Sequence, residues 1–226
     1  MTRSNKLGAA ALATAGVLFL LYPAVRPWHD ESTVDGAVAS MGSGAWVASH
    51  AFAMVGFVLA ALGLLALRDV IGGRLASAAV VTSWVGAGLV LPYYGAEDFG
   101  LHALARRYSA GERFDFLAAV DAIRNQPVAI TMFGVGLLVL AAGGVLAALA
   151  VRRSGTLPRS SGLLFGLGLA LFLPQFFTPA PVRIAHGALL AAGCVWLAAG
   201  LWRARQSSSP SATFAGARPR ASSRGA

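Results

Sequence analysis

Residues 45–67 read AWVASHAFAMVGFVLAALGLLAL. No Asp, Glu, Lys or Arg interrupts the run, and only Ser49 and His50 break its apolar character. A helix needs about 20 apolar residues to cross the hydrocarbon core of a bilayer. A soluble helix of this length would show water a polar stripe, which is absent here. The stretch therefore predicts a membrane span. Working outward from it, residues 7–25, 75–95, 127–151, 162–177 and 182–202 predict five more. The segment 162–177 is the shortest and ends near Pro174. The predicted fold is all-α: an integral membrane bundle of six transmembrane helices within residues 1–205.

Composition agrees. The chain is 57% hydrophobic and 12% charged, with a mean hydropathy of +0.67. A soluble domain carries about 25% charged residues, so a water-facing surface is excluded. The net charge of +9 would point to nucleic acid in a soluble protein. Here the basic residues flank apolar segments, so membrane sidedness explains them and no nucleic-acid partner is expected. Of the 18 Lys and Arg residues only Lys6 is Lys. Cys194, inside the last apolar run, is the only cysteine. An intramolecular disulfide and a thiolate metal cage are thereby excluded, and the residue is expected to be buried packing.

The charges sort by side. Lys6, Arg68, Arg74, Arg152, Arg153, Arg159 and Arg203 share one side with Arg3, Arg205 and the C-terminal arginines, accompanied only by Asp69. The opposite side carries Arg26, Arg106, Arg107, Arg113, Arg124 and Arg183 with eight of the nine acidic residues. The positive-inside rule then puts both termini in the cytoplasm of a plasma-membrane protein. The first span lacks a small-residue cleavage site, since residues 22–27 read YPAVRP, and is expected to stay uncleaved. Trp28 and Trp46 on the outer side and Trp202 on the inner side match aromatic belts.

The longest outer loop, residues 96–126, carries two helical patterns, 99–108 and 112–124. In the second, Phe114, Leu117, Val120 and Ile123 recur near helical spacing. An outer amphipathic helical cap is predicted there. Residues 206–226, rich in Arg, Ser and Pro, predict a disordered cytoplasmic tail. A faint internal echo also runs through the chain. Gly86 and Gly88 precede Pro92, Gly166 and Gly168 precede Pro174, and His102 and His186 follow. Such a repeat is the kind that transporter folds carry.

The outer ends of the spans gather polar residues. His50 lies one turn inside its span, and Glu97 and Asp98 follow Tyr93 and Tyr94. His102 follows Asp98 by four residues, the spacing of one helix face. Gln175, Arg183 and His186 lie near the outer ends of the last two spans. Ionisable groups at membrane depth are costly, so such a cluster marks a candidate functional site. Three chemistries fit. His50, His102, His186 and Asp98 offer nitrogen and oxygen ligands for a zinc-like ion. Glu97 or Asp98 offers an acid beside rings that stabilise a cation, namely Tyr93, Tyr94, Trp46, Phe176 and Phe177. His50, Tyr93, Tyr94, His102, Gln175, Arg183 and His186 offer binding groups for a small apolar or protonatable ligand, or a proton path.

In its overall pattern the chain resembles small polytopic membrane proteins of actinobacterial type, a likeness that implies no activity. The acid in an aromatic pocket resembles small membrane-bound terpene cyclases in architecture and residue type. The Ser, Asp and His content is similar to that of alkaline-ceramidase-like membrane hydrolases. Those have seven spans and a paired His motif, which this chain lacks. The leading expectation is a membrane protein with a small-ligand or proton-handling site at the outer end of the bundle. An intramembrane enzyme, cyclase or metal-dependent hydrolase, is the alternative, and a structural or partner-binding subunit the second. Substrate, metal, cofactor and oligomeric state stay open at this level.

Overall fold

Helix α1 spans Arg3–Val25, and a short α2, Val34–Met41, follows. Its N-cap Thr33 accepts a hydrogen bond from the Gly36 amide. Helix α3, Gly44–Ile71, starts from Ser43, whose hydroxyl accepts from the Trp46 amide. Gly72 and Gly73, with φ of 65° and 85°, make the turn into α4, Gly73–Gly95. Past Gly95 the chain stays helical through a π-helical turn, Ala96–Gly100, into α5, Leu101–Ser109. Helix α6, Phe116–Arg124, is capped by the Asp115 carboxylate. Then come α7, Pro127–Ser154, α8, Leu163–Ala170, a 3₁₀ turn at Pro174–Phe177, and α9, Ala180–Arg203. This computed structural model describes residues 3–204, and the predicted tail, 206–226, lies outside them.

The fold is all-α, with no strand among the described residues. Among the described residues five helical stretches are long and apolar enough to cross a membrane: Asn5–Val25, Gly44–Ile71, Gly73–Ser109, Pro127–Ser154 and Ala180–Arg203. They correspond to five of the six predicted spans. Their outward faces are apolar: Leu7 is 62% exposed, Val81 61% and Leu138 60%. Such a belt would aggregate in water and suits lipid. These features fit an integral membrane protein.

The segment 162–177 is not one continuous helix, contrary to expectation. Pro174 has no amide hydrogen to donate, and the Phe172 amide turns to the Leu169 carbonyl at 3.2 Å, so α8 ends at Ala170. The second cap pattern also starts later than expected, at Phe116, because Asp115 serves as the N-cap. Helix α2 was not anticipated at all.

Neighbours pack in the order α1, α3, α4, α7, α8, α9 and back to α1. Small residues set the distances. A Cβ on Gly86 of α4 would sit 2.7 Å from the Leu140 amide nitrogen of α7, and one on Gly193 of α9 only 2.3 Å from the Phe165 nitrogen of α8. The bundle core is aromatic towards one end, where Phe19 packs edge to face on Phe57 and Phe172, Tyr94 does so on Phe57, and Phe57 meets Phe172 at a tilt. At that same end a second, smaller core forms from α2, α5 and α6. Ala37, Met41, Leu101, Ala105, Phe116 and Val120 close over Trp46, which is wholly buried.

Candidate functional site

The ends of α1, α3, α4, α7 and α9 converge beneath the small core. Between them lies a cavity of about 410 Å³, within the range of small-molecule sites. Its walls are mostly rings and aliphatic chains: Tyr22, Tyr93, Tyr94, Ile130, Phe133, Leu173, Phe176 and Phe177. Tyr93 and Phe133 stack with centroids 4.3 Å apart. The Tyr93 hydroxyl donates to the Arg124 carbonyl at 3.1 Å, which ties α4 to α6.

A chain of charges forms the rest of the lining. Arg26 donates to Glu31 at 2.6 Å, and Arg124 donates to the other Glu31 oxygen at 2.8 Å. Arg124 Nε donates to Glu97 at 2.6 Å, and the second Glu97 oxygen lies 3.5 Å from His50 Nε2. Bonds of this charge-assisted kind contribute about 1.5–3 kcal/mol each where they are shielded from water. Arg124 links α6 to the bundle through both carboxylates. Burial alone would pull its guanidinium down, but Glu97 and Glu31 outweigh it and hold the group above its usual range. The Arg26 guanidinium lies 4.5 Å from the Trp28 ring and 4.9 Å from that of Trp46.

His50 is oriented from behind. Its Nδ1 lies 2.9 Å from the Trp46 carbonyl, and a carbonyl only accepts, so Nδ1 carries a proton. Nε2 is therefore the nitrogen turned to Glu97. The loop before α2 is structured as well. The Trp28 indole donates to the Pro23 carbonyl at 3.0 Å. Asp30 accepts from the Ser32 hydroxyl at 2.6 Å and its amide at 3.0 Å, which holds its carboxyl below the usual range. His29 is exposed.

The π-helical turn carries two adjacent acids that point apart, as neighbours on any helix do. Its wider winding turns the Glu97 carbonyl to the Trp46 indole, which donates to it at 3.2 Å, while the Glu97 side chain reaches the cavity. Asp98 does not line that cavity. It is fully buried, and neither of its carboxyl oxygens has a hydrogen-bond partner among the described residues. The same turn breaks the α-helical register on which Asp98 and His102 would pair. Instead, His102 Nδ1 donates to the Met41 carbonyl at 2.7 Å.

Of the residues singled out from sequence, the structure brings His50, Tyr93, Tyr94, Glu97 and Arg183 together on one cavity. Asp98, His102, Gln175 and His186 do not line it. His186 Nε2 donates to the Gly168 carbonyl at 2.7 Å, which α8 leaves without a backbone donor where it ends. With Gln175 it borders a groove of about 310 Å³ between the 3₁₀ turn and α9. Gln175 still bears on the cavity, because its oxygen accepts from Arg183 Nε at 3.0 Å. His50, His102, His186 and Asp98 therefore do not meet as one ligand set. Among the described residues no three His, Cys, Asp or Glu side chains are grouped to hold a metal ion.

Sequence reasoning missed Tyr22, Arg26, Glu31 and Arg124 as lining residues. The available signal was that Arg and Glu residues accumulate together on one side of the bundle, where they are free to pair. Compared with known families, curated proteins and solved structures, the chain finds no match.

Proposed function

We propose that this chain is a multi-pass plasma-membrane protein, both termini cytoplasmic, that holds a small ligand in the cavity at the outer, capped end of its bundle. The sidedness of its charges supports the orientation. The observation that carries the ligand reading is the cavity itself: about 410 Å³ of ring-walled space with a few fixed polar groups on one side. The His50–Glu97 pair, at 3.5 Å, gives that space the groups for the proton-handling side of this reading. The lipid bilayer is the surrounding partner. Acid-initiated cyclisation draws less support, because Arg124 and His50 already engage the two Glu97 oxygens and Asp98 stands outside the cavity.

The test uses Gly134. It lines the cavity, and a Cβ there meets nothing within 4 Å. In Gly134→Phe the ring has room to fill the space without disturbing the helices. Native mass spectrometry of the wild type released from membranes is expected to show a bound small molecule, lost in Gly134→Phe at unchanged melting temperature. Equal occupancy in both proteins, or none in either, sinks the reading.

A further inference from the structure

We infer that the ligand of this cavity is an amphipathic anion, one carboxylate or phosphate on an apolar body, gripped by Arg183; the inference rests on the cavity being a ligand site. Three arginines line the cavity against two carboxylates. Arg26 and Arg124 are taken up by Glu31 and Glu97. Arg183 has no carboxylate partner among the described residues.

Arg183 is nevertheless held in place. Its Nε donates to Gln175, a side chain only 5% exposed. Its guanidinium lies 4.8 Å from the Trp28 ring and 5.0 Å from the Phe176 ring. Its two terminal nitrogens donate to no group among the described residues. An arginine fixed by its Nε and by two rings, with its terminal fork free, is preorganised for the paired oxygens of a carboxylate or phosphate. It also stands in the first turn of α9, where the helix dipole favours an anion. A positive charge without a counter-charge beside apolar walls is costly, and a bound anion removes that cost. The walls determine the rest of the ligand. Tyr22, Tyr94, Phe133 and Leu173 offer an apolar body a dry surface that a small hydrophilic anion would leave unused.

The full-length protein in a neutral detergent is titrated with oleate, oleyl alcohol, dioleoyl phosphatidic acid and inorganic phosphate, following tryptophan emission, since Trp28 lies against Arg183. Oleate or phosphatidic acid is expected to bind the wild type at least about tenfold more tightly than oleyl alcohol, the scale of one charge-assisted contact. Arg183→Gln is expected to abolish that preference yet keep oleyl alcohol binding, which shows that its cavity is folded. Arg183→Lys, charged but without the fork, should fall between. Preference for phosphatidic acid alone identifies a bilayer lipid as the source, and for oleate alone a free acid; either supports the inference. Saturation by inorganic phosphate without either amphiphile overturns it. So does oleyl alcohol binding as tightly as both oleate and phosphatidic acid, or a preference that survives in Arg183→Gln, although the cavity then remains a ligand site. Failure of all four probes removes the ligand site itself.

Discussion

Two prolines stand near the cavity, in stretches that look alike, and the chain treats them differently. Past Pro92 it stays helical, widens into the π-helical turn and runs on into α5. Before Pro174 the helix stops, and only a 3₁₀ turn follows. The glycines ahead of them diverge too. Gly86 and Gly166 both press against α7, but a Cβ on Gly88 would meet open space while one on Gly168 would meet Leu190 of α9 at 2.8 Å. The lesson concerns carbonyls. A proline or a changed winding leaves some of them without their usual amide, and the outcome depends on which side chain arrives to bond them. Trp46 takes the Glu97 carbonyl and the helix continues; His186 takes that of Gly168 and the break is stabilised.

The comparison breaks most severely at the α8–α9 contact. A side chain on Gly193 runs into backbone, 2.3 Å from the Phe165 nitrogen, which cannot yield as a flexible side chain would. Gly193→Leu is expected to cost about 3 kcal/mol or more and to appear in detergent as a large loss of monodisperse protein. A variant that melts like the wild type would mean that α8 is not seated as described. On the continuous side, Trp46→Phe keeps a ring but removes the donor to Glu97 and leaves a small void. A loss of about 2 kcal/mol follows, with faster hydrogen exchange over residues 96–100. Unchanged exchange there would show that the π-helical turn holds itself. The smallest effect sharpens the contrast. His186→Phe preserves the edge-to-face contact with Phe172, at 5.3 Å, and deprives only the Gly168 carbonyl. It is expected to cost about 1 kcal/mol and to leave the proposed anion preference at Arg183 unchanged. If that preference disappears, the break and the cavity are one unit.

What could be read from sequence follows from the range of the interactions. Five spans were legible because each is a long apolar run, a signal that does not depend on the rest of the chain. The segment 162–177 misled because its composition is that of a span, while a single missing amide at Pro174 and the reach of His186, distant in sequence, decide its shape. Helix α2 is too short for a periodic signal, although Thr33 supplied its cap. For the cavity, His50, Tyr93, Tyr94, Glu97 and Arg183 were legible by depth alone. Glu31 and Arg124, 93 residues apart in sequence, carry no signal that they pair until folding sets their side chains 2.8 Å apart. The different surroundings of Glu97 and Asp98 were illegible, because they depend on which distant side chains pack on each side of the turn.

The circular order of the helices has a consequence for how the protein is made. Each long helix lies beside one already synthesised, so insertion can proceed with every new segment docking on its predecessor, at little entropic cost of loop closure. The exception is the seam between α1 and α9, where Gly16 approaches Ala191 and Gly187 approaches Leu20. The face of α1 that meets α9 stays uncovered until α9 has been synthesised. Arg183 travels on α9. The lining of the cavity is therefore completed only when α9 arrives, and a chain truncated before α9 keeps its other long helices but brings no arginine at position 183 to the cavity.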